Sequence, residues 1–411
     1  MTNCEPPMAL AGLKVLDLSR ILAGPYAAQM FADLGADVVK VENPDGGDDT
    51  RKWGPPFAQN ADGSRDDAAY FSACNRNKRS VTIDFSTESG ADLVRKLARK
   101  ADIIIENFKS GGLKKYGLDY ASINAINPGI IYCSITGFGQ TGPYSHRSGY
   151  DFLIQGMGGL MSITGLPDGS PGSAPMKVGV AVCDLFTGMF AANAALAALH
   201  YRTQTGKGQH IDCALLDSQI SMLANQSANW LNAETCPDRM GNSHPSVVPY
   251  TVYRARDGFV IVACGNDKQF IRLTSALAIP GLADEVDFAT NEARIKNRDW
   301  LDAALGEIIV KMDRQQLIET LEAAGVSCGP INNIAEVFAD PHVRTRGARI
   351  DQWREDGSKV STTAFAAKLS LTPAQYRITP PRLGEHSDQI ITEWTDMSPA
   401  AIAALRNAKV I

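Results

Sequence analysis

The chain has 411 residues, of which 44% are hydrophobic and 21% charged, with a formal net charge of −5. That length exceeds what one core usually fills, so two domains are expected, and the composition is that of a globular enzyme rather than a disordered or fibrous chain. The acidic balance argues against a nucleic-acid partner, yet it leaves room for a local basic pocket that takes an anionic small molecule.

In chain order, the first third alternates strand and helix patterns. LKVLDL (13–18) reads as a strand, AGPYAAQMFADLG (23–35) as a helix closed by Gly35, and ADVVKVE (36–42) as a second strand. SVTIDF, the helix GADLVRKLARKA, the strand DIIIENF and GIIYCSIT continue the series to residue 136. Repeated β-α-β units imply a doubly wound, Rossmann-like parallel sheet, whose ligands bind beyond the carboxyl ends of its strands. VAVCDLFTGMFAANAALAALHY (180–201) follows as a buried helix, and QHIDCALLDSQISMLANQSANWL (209–231) as a strand running into a long helix. YTVYRARDGFVIVACG predicts a hairpin turning near Asp257 and Gly258, with helices at KQFIRLTSALA, NRDWLDAALGEIIVKM and RQQLIETLEAAG. These segments form a smaller α+β domain over 228–325; 1–205 and 335–411 make up the large domain, with linkers at 206–227 and 326–334. SPAAIAALRNAKVI closes the chain as a capped helix that packs back on the large domain.

The eight cysteines contain no C-x-x-C pair, and most lie in apolar contexts, which predicts free thiols in a reducing compartment. The N-terminal MTNCEPPMALAG has no cationic leader pattern, and no window has the 18 to 20 uninterrupted apolar residues of a membrane span, so a cytoplasmic protein with no membrane partner is expected. No H-E-x-x-H, close histidine pair, Walker sequence or G-x-S-x-G occurs, so neither a metal site nor a serine hydrolase is supported. GFGQTG (137–142) fits G-x-G-x-x-G after a strand, but the turn-like PYSHRSGYD follows where a dinucleotide fingerprint needs a helix. NRNKRS (75–80) carries three cations and reads as a solvated loop or, alternatively, a phosphate contact. Carboxylates are then the nucleophile candidates. Asp184, ahead of an apolar helical run, reads as an ordinary helix cap, a role compatible with nucleophilic chemistry.

Residues 13–51, NRNKRSVTIDF, DIIIENF, SITGFGQTGPY, GYDFLIQGMGGLMSITG, VAVCDLFTGMFAANAALAAL, TGKGQHIDCALLDSQ and PRLGEHSDQI together resemble the class III coenzyme A transferases (the CaiB/BaiF family), in the family's order along nearly the whole chain. The resemblance implies that Asp184 is the nucleophile and that catalysis runs through aspartyl anhydride and aspartyl-CoA thioester intermediates, with N–H donors near Gly-rich segments such as GMGGL (156–160) on the oxyanion. It implies CoA contacts at Leu22, Ala23, Asn43, Ile83, Asp84, Ser86, Asn107, Phe108, Lys109 and Lys115, with Arg147, Ser148, Tyr150 and Asp151 near the thioester. It further implies an interlocked homodimer and acyl-CoA and carboxylic acid substrates, with no cofactor beyond CoA as co-substrate. Formyl-CoA transferase has glutamine at the position of Leu22 and a glycine-rich loop where this chain has GNSHPSVVPYTVY. The related α-methylacyl-CoA racemases, the alternative reading, place a histidine where Tyr150 stands, and a phenol of pKa near 10 is a poor base at neutral pH. NRNKRS, HPSVVPY and CGPINN most resemble the branch acting on dicarboxylates, such as succinyl-CoA:glutarate CoA-transferase. For the second carboxylate, Arg51, His244 and Ser246 are the substrate-contact candidates.

Overall fold

The computed structural model describes residues 8–411, so Cys4 and most of the N-terminal segment weighed as a leader lie outside the described residues. In chain order come β1 (Lys14–Asp17), α1 (Ala23–Asp33), β2 (Asp37–Glu42), β3 (Phe57–Gln59), β4 (Arg65–Ala68), α2 (Ala69–Ser72), β5 (Lys78–Thr82), α3 (Glu88–Lys100), β6 (Ile103–Glu106), α4 (Tyr120–Ile126) and β7 (Ile131–Thr136). Next are α5 (Asp151–Met157), α6 (Leu160–Ile163), α7 (Val182–Thr205), β8 (Gln209–Ala214), α8 (Leu215–Met222), α9 (Ala224–Ala233), β9 (Tyr250–Ala255), β10 (Gly258–Ala263) and α10 (Asp267–Ala276). The chain ends with α11 (Asn291–Lys296), α12 (Arg298–Ile309), α13 (Arg314–Ala323), β11 (Ser327–Pro330), α14 (Ile334–Ala339), α15 (Pro341–Thr345), β12 (Arg349–Trp353), β13 (Lys359–Thr363), α16 (Ser387–Trp394) and α17 (Pro399–Asn407).

Two compact units result. The first runs to Leu160 and includes Lys177–Glu234 and Arg344–Ile411; the second comprises Met161–Met176 and Thr235–Val343. The first unit is built on a six-stranded sheet, all parallel, in the order β5-β2-β1-β6-β7-β8. Its inner strands β1, β2, β6 and β7 are almost wholly buried because both faces are covered. On one face Val15, Val38, Ile103, Ile131 and Cys133 pack under α1 and α7; on the other Leu16, Val39, Val81 and Ile104 pack under α3, α16 and Ile402 of α17. The strand order reverses between β1 and β6, so the carboxyl ends of these two strands flank the crevice where such sheets bind ligands.

Local sequence explains the boundaries. Thr87 caps α3 by accepting from Gly90 N at 3.1 Å, and Gly35, at φ +106°, follows the end of α1. The small residues of α1 and α7 allow close packing: a Cβ built on Gly188 would lie 2.6 Å from Ala23 O. By length and composition alone α7 could cross a membrane, but one side of it, including Cys183, Ala191, Ala195 and Ala198, belongs to the core over the sheet. The long helix expected after β8 is instead two, because Ala224 takes φ +45° and breaks it. In the second unit β9 and β10 form the expected hairpin and β11 pairs with β10, all antiparallel. Val260, Val262, Phe270, Leu301 and Leu317 are in the core of that unit.

Candidate active site

A cavity of about 520 Å³ opens in the first unit at the switch point. It is lined by Arg20–Ala23 after β1, Asn107–Ser110 after β6, Thr136 and Gly137 at the end of β7, the Ser145–Tyr150 segment, Lys115 and Asp184. A neighbouring cavity of about 230 Å³ shares Arg20, Phe85, Phe108 and Tyr116 with it and adds Asn43, Asp48 and Ile83–Ser86. Leu22, Ala23, Asn107, Phe108, Lys109, Lys115, Arg147, Ser148 and Tyr150 are thus brought together with Asp184, and Asn43, Ile83, Asp84 and Ser86 line the adjoining space. Sequence reasoning missed Arg20 and Tyr116; Phe85 lies within the span 83–86 that it marked. Phe85 stands edge to face against Phe108 and Tyr116, at 5.7 Å in both pairs, and the Arg20 guanidinium lies 5.3 Å from the Phe108 ring centre. Their signal was positional: each follows a strand of the parallel sheet.

GFGQTG opens no helix. Gly137 instead lets two backbones meet, since a Cβ there would lie 2.5 Å from Gly149 Cα, and this contact draws the RSGYD segment over the end of β7. GMGGL is not part of the cavity wall; the Gly158 N–H closes α5 on Ile154 O at 2.8 Å.

Asp184 is not the helix cap that its sequence suggests. The helix begins at Val182, the N-cap residue Ala181 contributes no side-chain bond, and Asp184 lies in the first turn. The capping acceptor comes from α5: Asp151 Oδ1 takes the Cys183 N–H at 2.8 Å, and the buried Gln155 donates to Asp151 Oδ2 at 2.7 Å while accepting from Val178 N at 2.8 Å. A second carboxylate therefore does the capping. Among the described residues the Asp184 side chain has no ion pair or hydrogen-bond partner. Burial first, and the charge of Asp151 second, push its pKa up to about 7, so neutral and ionised forms coexist near neutrality.

The cations of NRNKRS are not solvated. All six residues from Asn75 to Ser80 are buried, because each cation meets a carboxylate distant in sequence. Arg76 forks onto Asp33 at 3.0 and 2.5 Å, Arg79 onto Asp37 at 3.0 and 2.6 Å, and Lys78 Nζ reaches Asp17, Asn75 Oδ1 and Pro25 O, each at 2.9 Å. Arg51 lies in the same buried layer. Its guanidinium bonds Glu42 at 2.8 and 2.6 Å, pairs with Asp67 and donates to Pro381 O, which leaves it committed to structure and absent from both cavity walls. His244 and Ser246 belong to the second unit, where Ser246 N donates to His244 Nδ1 at 3.0 Å.

The fold and cleft define an α/β protein that receives its ligand at the switch point of a parallel sheet. Within that class, residues 10–387 match the model of CoA-transferase family III; the chain belongs to this family and is a CoA-transferase. It is 51% identical over 393 residues to a succinate–glutarate CoA-transferase of Agrobacterium fabrum, covering 96% of this chain and 97% of the relative. It is 39% identical over 411 residues to the human succinyl-CoA:glutarate CoA-transferase, covering all of this chain and 91% of that one. A crystal structure of a CaiB/BaiF family protein from Brucella suis superposes with a TM-score of 0.84 at 52% identity, over 94% of this chain and 99% of that one.

Proposed function

We propose that this enzyme moves CoA from succinyl-CoA or a similar dicarboxylyl-CoA to a dicarboxylic acid, with Asp184 as the nucleophile. The observation that carries this reading is Asp184 itself, a carboxylate without a counter-ion in a cavity at the switch point. The printed activities of the Agrobacterium and human relatives support the substrate class.

The Asp184 carboxylate attacks the thioester carbonyl, and collapse of the tetrahedral adduct expels CoA thiolate and leaves a mixed anhydride. The thiolate attacks the aspartyl carbonyl of that anhydride, releasing the donor acid and forming an aspartyl-CoA thioester. The acceptor carboxylate attacks this thioester, again expelling thiolate, and the thiolate takes the acceptor acyl group from the second anhydride, which regenerates Asp184. No water enters: an Asp184 oxygen leaves with the donor acid, and an oxygen of the acceptor carboxylate replaces it. Partial protonation near neutrality limits the fraction of nucleophile, while a pKa of about 7 makes the ionised form more nucleophilic than an ordinary carboxylate.

CoA lies along the two cavities, contacting Leu22, Ala23, Asn43, Ile83, Asp84, Ser86, Asn107, Phe108, Lys109 and Lys115, with Arg147, Ser148, Tyr150 and Asp151 toward the thioester. Arg147 and Lys109 have no carboxylate partner among the described residues, which suits them to phosphates or a substrate carboxylate. Of the substrate-contact candidates, His244 and Ser246 are retained for the acceptor. Residues 1–205 with 335–411 are read as the CoA-binding domain, since every residue of both cavities except Leu215 falls there. An interlocked homodimer is supported by the exposed Phe186, Met189, Phe190 and Leu196 of α7 and Trp230 and Leu231 of α9. The seven described cysteines are all free, in keeping with the cytoplasm.

The test is a matrix of CoA donors against mono- and dicarboxylate acceptors, read by mass spectrometry for wild type and Asp184→Asn. Transfer from succinyl-CoA to dicarboxylates by wild type and none by the folded variant is expected; transfer by Asp184→Asn at the wild-type rate overturns the assignment.

A further inference from the structure

One residue of the cavity wall holds a backbone conformation its side chain opposes. Ile21 has φ +72°, and a β-branched residue in the left-handed region is strained, so it persists there only where its surroundings impose it. The surroundings are unusually explicit. The Ile21 N–H is shared between Asp48 Oδ1 and Oδ2 at 3.2 and 3.1 Å, and Asp48 is fully paired with Lys40, whose Nζ lies 2.9 Å from Oδ2 and also donates to Ser19 O at 2.9 Å. Thr50 completes the shell of Asp48, donating its N–H at 3.0 Å and its hydroxyl at 2.8 Å. Neither member of the ion pair has any side-chain exposure. One residue earlier, Arg20 is held on both backbone groups by the Asn107 amide, at 2.8 and 2.7 Å.

What this clamp fixes is the position of the next residues against Asp184. Leu22 and Ala23 follow directly into the cavity wall and the first turn of α1. Ala23 O approaches α7 at Gly188, one turn beyond Asp184, closely enough that a Cβ there would stand 2.6 Å away. If Ile21 relaxed to a right-handed or extended conformation, Leu22 and Ala23 would swing relative to the reacting carboxylate.

We propose that Asp48, held by Lys40 and Thr50, is a positioning residue for CoA transfer: it imposes the left-handed turn at Ile21 that sets the Leu22–Ala23 wall against Asp184. Asp48 also borders the adjoining cavity, but its carboxylate oxygens point to Ile21, Lys40 and Thr50. Preorganisation of this kind acts on the chemical step more than on ground-state binding, because small misplacements of reacting groups are expensive in rate.

The inference rests on the reading of this cavity as the acyl-CoA site, which Asp184→Asn tests separately. Its own test is Asp48→Asn, alone and combined with Ile21→Gly, with kcat and KM for succinyl-CoA measured alongside urea unfolding. Asp48→Asn is expected to lower kcat about tenfold or more with KM changed less than threefold. Adding Ile21→Gly, for which a left-handed φ carries no penalty, then raises kcat at least fivefold over Asp48→Asn alone. An unchanged kcat in Asp48→Asn, or a loss that Ile21→Gly does not relieve, overturns the proposal. If Asp48→Asn does not yield folded protein, Thr50→Val serves instead, since it removes only the hydroxyl bond to Asp48. A kcat at least threefold lower at near-native KM supports the positioning role, and an unchanged kcat overturns it.

Discussion

Asp17, Glu42 and Asp48, all buried in the first unit, differ from the half-buried Asp184 of the same unit in one respect. Asp17, Glu42 and Asp48 each face a cation: Lys78, Arg51 and Lys40. Burial alone would favour their neutral forms, but those partners and the surrounding N–H and hydroxyl donors hold all three below the usual carboxylate range, Asp48 at about 2. Asp184 has no such partner; burial and a second carboxylate push it to about 7. In these four the counter-ion makes the difference: Asp17, Glu42 and Asp48 are held charged, while Asp184 is left able to gain and lose charge near neutrality, which is the condition of a nucleophile. The difference teaches where to look for chemistry: among the carboxylates left without a cation, of which Glu106, also pushed up to about 7 by burial, keeps a bond from the Phe108 N–H at 2.8 Å, whereas the Asp184 side chain has none and lines the cavity.

Substitutions should separate the two classes cleanly. The largest expected effect is on turnover: Asp184→Asn should lower kcat by at least about 10³-fold with CoA still bound in equilibrium titration. The mirror case is Lys78→Met, which removes the direct ion-pair partner of the buried Asp17 and should cost about 3–5 kcal/mol in urea unfolding. Equal losses of stability in both variants would erase the distinction.

pH sharpens it further. Asp48 has its folded pKa below its ordinary value of 3.8, so its stabilising contribution is present above that value and is lost only as pH falls through about 2. The sign reverses for Asp184, raised from 3.8 to about 7: its contribution is full below 3.8 and is lost as pH rises through about 7. Between pH 7 and 5, kcat/KM should therefore fall as Asp184 protonates while Asp17, Glu42 and Asp48 keep their charges. Asp184→Asn should have a higher Tm than wild type at pH 8, and that advantage should vanish near pH 4. A flat pH–rate profile across this range would contradict the raised pKa. The smallest effect is steric: Gly188→Ala should cost about 1–3 kcal/mol by forcing α7 away from Ala23, with activity falling in parallel.

Much of the architecture could be read from periodicity, because the short apolar runs 13–18, 36–42 and 131–136 have no other use than a sheet covered on both faces. The carboxyl-end rule also pointed to the segments that meet in the cavity, Arg20–Ala23 and Asn107–Ser110. What could not be read were partners distant in sequence. NRNKRS looked solvated because its carboxylates, Asp33, Asp37, Asp17 and Glu393, stand 42 to 314 residues away. Arg51 looked available for the same reason. Asp184 looked like a cap because nothing near it in sequence reveals that Asp151, 32 residues earlier than Cys183, already accepts the orphan N–H. The left-handed turn at Ile21 carries no glycine to announce it, since Asp48 supplies from outside what glycine supplies by itself.

The central claim is that the unpaired carboxylate carries the acyl group and then CoA. Hydroxylamine added during turnover with succinyl-CoA and a dicarboxylate acceptor traps aspartyl anhydrides and thioesters as the hydroxamate, and peptide mass spectrometry locates it. A hydroxamate at Asp184, absent without substrate, is the predicted result. An enzyme that turns over fully in hydroxylamine with Asp184 unmodified would contradict it.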